Sequence, residues 1–245
     1  MACQRVTQIG FFSTPFLFYR VMRKVRLFAN RIEAGRLLAS ALANLISKSS
    51  IVLAIPRGGV VVGFQIARAL DLPLDVIIPR KIGAPDNPEL AIGAMTEDKT
   101  MILDERLVSY LRVSEDYIKE ESERQRLEIE RRLKLYRGDA PYPSLENRDV
   151  IIVDDGIATG STMKAALASV RRRGAKTVVI AVPVGSTSAI GELKKEADDV
   201  VCLYTPESFY AIGEFYEDFA QTTDEEVASL LKLSRQKERL QRILR

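Results

Sequence analysis

The sequence predicts an α/β protein: a doubly wound, mainly parallel sheet flanked by helices. Two observations carry this. Short, mostly apolar runs recur: IVLAI at 51–55, LDVIIP at 74–79, VIIV at 150–153, VVIAVPV at 178–184 and VVCLY at 200–204. They have the length and β-branched content of strands buried on both faces. Segments with helical spacing lie between them, and such alternation is the mark of βαβ units.

Taken in order, Asn30 followed by Glu33 resembles a capping box, and Leu38, Leu42, Leu45 and Ile46 continue it as an apolar helical stripe. After Ile51–Ile55 comes PRGG, then VVVGFQIARAL, a helix. After LDVIIP, Thr100–Leu103 adds a short strand. The strand Val150–Val153 leads to a helix over Ser161–Arg173, and a further helix over Ser186–Ala197 separates the last two strands.

Two segments depart from the alternation. Ser114–Arg137 is long, charged and free of Gly and Pro. Ser114, Glu115 and Asp116 make a good helix N-terminus, so 114–137 is expected as a helical insertion with a solvated face. The other is TPESFYAIGEFYEDF, whose Phe209, Tyr210, Phe215, Tyr216 and Phe219 follow the last strand.

The chain has 245 residues, 36 basic and 33 acidic, a net charge of +3. That balance gives no reason to expect a nucleic-acid partner. Two cysteines, Cys3 and Cys202, do not make a disulfide framework, and a cytoplasmic setting is expected. The absence of histidine excludes Ser-His and Cys-His catalysis. A metal here would be a hard ion held by oxygen, such as Mg²⁺. The apolar stretch IGFFSTPFLFYRVM is interrupted and shorter than the ~20 residues a membrane span requires, and it lacks a signal peptide's basic leader and cleavage site. Residues 1–26 are expected as a poorly ordered extension of a single domain over 27–245. Met22 opens an ordinary domain start, so 1–21 would be dispensable or arise from an upstream start codon.

Chemistry concentrates in VIIVDDGIATGST, residues 150–162. In an open parallel sheet, ligands bind beyond the carboxyl ends of the strands, at the topological switch point. Asp154 and Asp155 stand at such an end. Thr159, Gly160, Ser161 and Thr162 fill the turn before a helix, where N–H groups, dipole and hydroxyls suit a phosphate. Two carboxylates beside a phosphate site imply sugar hydroxyls or Mg²⁺. A phosphorylated sugar satisfies both halves. No Gly-Lys-Ser/Thr follows, which excludes a P-loop, and IPRGGVVVG at 55–63 is not a dinucleotide fingerprint.

This loop resembles the signature of type I phosphoribosyltransferases: hydrophobic strand, two acids, two variable residues, small-residue turn. The resemblance runs from about Ile51 to Tyr204. It implies that Asp154 and Asp155 hold the ribose hydroxyls of phosphoribosyl pyrophosphate (PRPP) and are catalytic, with Mg²⁺ bound directly or through water. It implies that Ala158, Thr159, Gly160, Ser161 and Thr162 hold the 5-phosphate. Gly156 departs from the family, where an aliphatic residue is usual, and suggests a distinct subgroup. IPRGG resembles the pyrophosphate loop, often with a cis peptide, so Arg57, Gly58 and Gly59 would bind pyrophosphate. PRKIGAPDNPELAIGAM, residues 79–95, reads as a loop from its three prolines and two glycines. It resembles the family's closing loop, with Arg80 and Lys81 as catalytic pyrophosphate ligands, in this chain or across a homodimer interface. The aromatic segment stands where the family carries a hood over the acceptor base; 205–245 is the hood and C-terminal region. Packing on the sheet would use the same aromatics. NR-EAG near the start and QT-DEEV near the end look like an uncharacterised phosphoribosyltransferase-like subgroup.

The implied reaction moves 5-phosphoribose from PRPP to a nitrogen nucleophile and releases pyrophosphate. The substrates would be small molecules, with no membrane partner. Ala158 stands where 6-oxopurine enzymes of the family carry an acidic general base, which argues against that mechanism. Glu89 is a candidate acid in the closing loop. The alternative is a PRPP- or nucleotide-binding regulator of the same fold with little catalysis.

Overall fold

A computed structural model describes residues 28–243. The N-terminal extension expected over 1–26 lies outside them, as does Cys3. Helix α1 is Arg31–Leu42, and Asn30 caps it by accepting from the N–H groups of Ile32 and Glu33. The Glu33 carboxylate accepts from Ala29 N at 2.5 Å, one residue earlier than a strict capping box. Leu38 and Leu42 are fully buried, but the helix ends before Leu45, which is exposed.

The alternation then unfolds as expected. Strands β1 (Ile51–Ala54) and β2 (Leu74–Val76) flank helix α2 (Gly58–Leu70). Strands β3 (Arg80–Ala84), β4 (Asn87–Met95) and β5 (Met101–Leu103) follow, then helices α3 (Glu105–Tyr110) and α4 (Glu115–Arg137). The chain continues with β6 (Asp149–Val153), α5 (Ser161–Arg172), β7 (Thr177–Val184), α6 (Thr187–Leu193) and β8 (Asp199–Tyr204). A 3₁₀ turn at Ile212–Phe215 precedes helix α7 (Asp224–Ile243). The helix expected over Ser186–Ala197 is shorter, with Ser186 as its cap.

Strands β2-β1-β6-β7-β8 form a parallel sheet in that order. Its side chains alternate between two cores. Val52, Ala54, Ile151 and Val153 face α1, α2 and α7; Ile51, Leu53, Val150 and Ile152 face α5 and α6. Burial on both faces is why these runs are apolar without interruption. The chain leaves β1 towards β2 and later returns to β6 on β1's other side. The switch point therefore lies between β1 and β6, where Ile55 N donates to Val153 O at 2.8 Å.

Residues 79–95 are not a loop. They form the antiparallel hairpin β3–β4, which joins β5 in a second, three-stranded sheet. Pro79 precedes β3, Pro85 lies in the turn, and Pro88 sits where the register shifts, so no proline falls in a regular central ladder. A Cβ on Gly83 would lie 2.6 Å from Pro88 O, so the strands close only with glycine there. The small sheet rests against α4 and α5.

Helix α4 covers the expected insertion, capped by Ser114 Oγ. Its charges pair along the helix, the exposed Arg131 with the half-buried Glu128 at 2.8 Å and the half-buried Arg132 with Glu128 at 2.7 Å. These arginines hold the Glu128 carboxyl down at about 2. Helix α7 packs on α2 and α4, burying Val227 and Leu231. Among the described residues, no helix is long and apolar enough to cross a membrane.

Candidate functional site

Asp154 and Asp155 follow the last residue of β6, the middle strand of the parallel sheet. Asp155 N donates to Asp154 Oδ1 at 2.8 Å. Burial, and then the charge of Asp155, push the Asp154 carboxyl well above the ordinary carboxylate range. Asp155 is itself 8% exposed, and its Oδ2 accepts from Arg31 Nε at 2.7 Å. Tyr216 donates its hydroxyl to Asp155 O at 2.6 Å.

The following turn is pinned to the sheet. Ile157 N donates to Val184 O at 2.9 Å, and Ser186 Oγ to Ala158 O at 2.6 Å. Gly160 takes φ +82°, ψ −4°, and caps α5 without a side chain. The first-turn N–H groups of α5 therefore suit an outside acceptor. Thr159 Oγ1 and Ser161 Oγ stand 3.3 Å apart at this turn.

The loop after β1 meets the acids from the other side. Its Pro56–Arg57 peptide is cis, and Arg57 begins α2 without a side-chain cap. A Cβ on Gly58 would fall 1.9 Å from Asp155 Oδ2, and one on Gly59 would fall 2.9 Å from the Asp154 Cα. Only two residues without side chains let the α2 N-terminus come this close to both acids. The Arg57 guanidinium lies 3.8 Å from Asp224 Oδ1 at the start of α7. Asp224 also accepts from the Tyr136 hydroxyl, a bond that heads the causes holding its carboxyl below the usual range.

Arg80 and Lys81 open β3 on the opposite wall. Arg80 Nε donates to Gln125 Oε1 at 2.8 Å, and Gln125 Nε2 to Glu121 Oε1 at 2.7 Å. Tyr117 secures the same hairpin by donating to Gly83 O at 3.0 Å. Partial burial, followed by the nearby Arg132 charge, lowers the pKa of Arg80. Lys81 is exposed.

One cleft of about 690 Å³ joins these parts. Arg57, Gly58, Arg80, Lys81, Asp154, Asp155 and Thr162 line it, all from one chain, and Glu89 of β4 reaches it as well. Gly59 is not among the lining residues; it lies beneath Asp154. Ala158, Thr159, Gly160 and Ser161 form the turn leading to Thr162, with Ala158 and Thr159 exposed.

Arg31, Gln125 and Arg132 lie in the cleft wall without having been singled out by sequence reasoning, and Phe219, which was, joins them. Phe219 belongs to the aromatic segment, but the others lie on helices whose charge pattern reads as solvated. The aromatics mostly pack on one another. Phe215 pairs with Phe209 at 5.2 Å and with Tyr204 at 5.8 Å, and Tyr216 with Phe28 at 5.4 Å. Tyr210 is 84% exposed. Gly156 permits this arrangement: a Cβ there would meet Ile212 Cγ2 at 2.6 Å. The segment after β8 sits directly on the acid loop.

Among the described residues, no group of three or more His, Cys, Asp or Glu could hold a metal ion. Two adjacent carboxylates, one of them shared with Arg31, fit Mg²⁺ only where substrate oxygens and water complete the shell, a common mode for that ion.

Residues 27–220 match the family model described as a phosphoribosyl transferase domain. A Mycobacterium tuberculosis protein, provisionally named a phosphoribosyl transferase and found in two strains, is 43% identical over 207 residues, 84% of this chain. The chain spans about half the length of that relative, 47%. The crystal structure of TT1426 from Thermus thermophilus is 44% identical with a TM-score of 0.73, covering 84% of this chain and 97% of that one.

Proposed function

The chain belongs to the phosphoribosyl transferase domain family, and on that premise we propose that it transfers 5-phosphoribose from PRPP to a nitrogen nucleophile, a nucleobase, with release of pyrophosphate. The observation that carries this reading is the cleft at the β1–β6 switch point. There Asp154 and Asp155 stand beside the Thr162 turn, with Arg57, Arg80 and Lys81 facing them.

Each part has a task on this reading. Asp154 and Asp155 accept from the ribose 2- and 3-hydroxyls. The residues Ala158–Thr162 bind the 5-phosphate through backbone N–H groups and hydroxyls. Holding the sugar at both ends fixes its orientation. In the reaction the bond from C1 to the pyrophosphate oxygen breaks and a bond from C1 to nitrogen forms. Negative charge grows on the leaving group, where Arg57, Arg80, Lys81 and the N–H groups of Gly58 and Gly59 stabilise it. Asp154 and Asp155 would hold Mg²⁺ together with substrate oxygens, and the ion would supply further positive charge at pyrophosphate. The β3–β4 hairpin and the segment around Phe219 exclude water that would hydrolyse a cationic sugar. Glu89, which lines the cleft, is the candidate acid to receive the nucleophile's proton; Ala158 cannot. The single-domain organisation over 27–245, with 114–137 as a helical insertion and 205–245 as hood and C-terminal region, belongs to the same reading.

The test is incubation with PRPP, Mg²⁺ and a panel of bases, following pyrophosphate. Release that depends on one base class is expected. PRPP binding without turnover on any acceptor would support a regulator of the same fold, and no binding would sink the reading.

A further inference from the structure

The NR-EAG stretch at 30–35 is a motif that the function above does not use. Part of it is structural. Asn30 caps α1, Ala34 is fully buried, and a Cβ on Gly35 would lie 2.7 Å from Val62 O, so α1 and α2 pack closely. Arg31 has none of these tasks, yet its side chain is only 11% exposed.

Its contacts run into the cleft. Arg31 Nε donates to Asp155 Oδ2 at 2.7 Å, and Nη1 donates to Ala220 O at 2.8 Å. The guanidinium carbon lies 3.8 Å from the Phe219 ring centroid and 6.0 Å from that of Tyr216. One planar cation thus ties the acid loop to the segment after β8 while stacking on a cleft aromatic. Gly58 closes on the same oxygen: a Cβ there would fall 1.9 Å from Asp155 Oδ2 and 2.7 Å from Arg31 Nε, so there is no room even for a methyl group. Oδ2 of Asp155 is seated against both Gly58 and Arg31.

We propose that Arg31 is a positioning residue for the ribose: its Nε holds Oδ2 of Asp155 so that the carboxylate meets the sugar hydroxyl in one orientation. The other groups around this carboxylate are Asp154 beside it and Tyr216, whose hydroxyl is committed to Asp155 O. Asp154 also hydrogen-bonds the Asp155 side chain, and Arg31 is the cationic donor to it. A carboxylate has about four acceptor sites, so the arginine and a hydroxyl can share it. The inference rests on the phosphoribosyl reading, since it concerns how the ribose acid is presented. It also gives the first helix a part in the site that neither signature loop announces.

Calorimetry with two probes separates the outcomes: ribose 5-phosphate, which carries the sugar, and magnesium pyrophosphate, which lacks it. Arg31→Gln should weaken ribose 5-phosphate binding by about tenfold to a hundredfold, the worth of one charge-assisted hydrogen bond, and leave pyrophosphate binding unchanged. Arg31→Lys should recover part of the loss. In Arg31→Ala, millimolar guanidinium should restore ribose binding where equal sodium does not, because the cation refills the slot beside Asp155. A purely structural residue would weaken both probes together and would not respond to guanidinium. Equal ribose binding by wild type and Arg31→Gln overturns the proposal alone. Failure of the wild type to bind ribose 5-phosphate or PRPP overturns the phosphoribosyl reading, and this inference with it.

Discussion

Asp154, Asp155 and the hydroxyl turn hang from β6, with parallel strands on both sides of it. Across the cleft, Arg80 and Lys81 open a hairpin of a separate three-stranded sheet. The first wall is pinned to the five-stranded sheet itself: Ile157 bonds Val184, Gly160 adopts the left-handed turn that starts α5, and Ser186, Tyr216 and Arg31 add side-chain bonds. The second wall also leans on side chains, Gln125 holding Arg80 and Tyr117 holding Gly83. The difference suggests a division of labour. A sugar phosphate needs fixed partners, whereas a cover over a leaving group must open to admit and release ligands.

Substitutions on the two walls should therefore behave differently. The largest effect belongs to the fixed wall. Asp154→Asn with Asp155→Asn should lower PRPP turnover by about 10³-fold or more while circular dichroism stays native. Turnover near wild type would break the assignment of that wall. On the hairpin, Arg80→Ala or Lys81→Ala should each cost about 10- to 100-fold in steady-state pyrophosphate release. The support beneath should matter less: Gln125→Ala should cost up to about tenfold, as Arg80 loses one neutral partner. If Gln125→Ala equals Arg80→Ala, the hairpin is as preorganised as the acid loop and the contrast fails.

Two stability measurements sharpen the same contrast. Gly156→Ala forces a methyl group into Ile212 and should cost about 1–3 kcal/mol in denaturant unfolding, the range for overpacking. The smallest expected effect has the opposite sign. The Asp154 carboxyl is raised in the folded state, so the folded protein binds this proton more tightly than the unfolded chain does. Stability is then lost as pH rises through the ordinary aspartate range towards the raised value. Asp154→Asn keeps the Oδ1 acceptor for Asp155 N and removes this penalty. It should raise the thermal midpoint of the ligand-free protein at neutral pH while lowering activity.

The fixed wall was also the legible one. Strand, acids, turn and helix start lie within thirteen consecutive residues, 150–162, and each residue type states its task. The parallel strands were legible because burial on both faces leaves unbroken apolar runs. The hairpin was not, because prolines and glycines that normally break structure here occupy its turn, a register shift and a close strand approach. Helix α7 escaped notice although Thr223 caps Glu226 N and Val227 and Leu231 repeat at helical spacing; its mostly charged surface hid that short stripe. Arg31 stood in the NR-EAG stretch, but its contacts, like those of Gln125, could not be read. Their partners are 124 and 45 residues away, and nothing local distinguishes them from solvated charge or polar surface.

On the proposed reading one cleft would hold the sugar by the acids, its phosphate by the α5 turn and its pyrophosphate by Arg57, Arg80 and Lys81. A crystal structure with PRPP and Mg²⁺ tests it most directly. The account predicts the ribose hydroxyls on Asp154 and Asp155, the 5-phosphate at Ala158–Thr162 and pyrophosphate facing Arg57. A ribose seated away from the two acids, or a 5-phosphate outside the 158–162 turn, would contradict it.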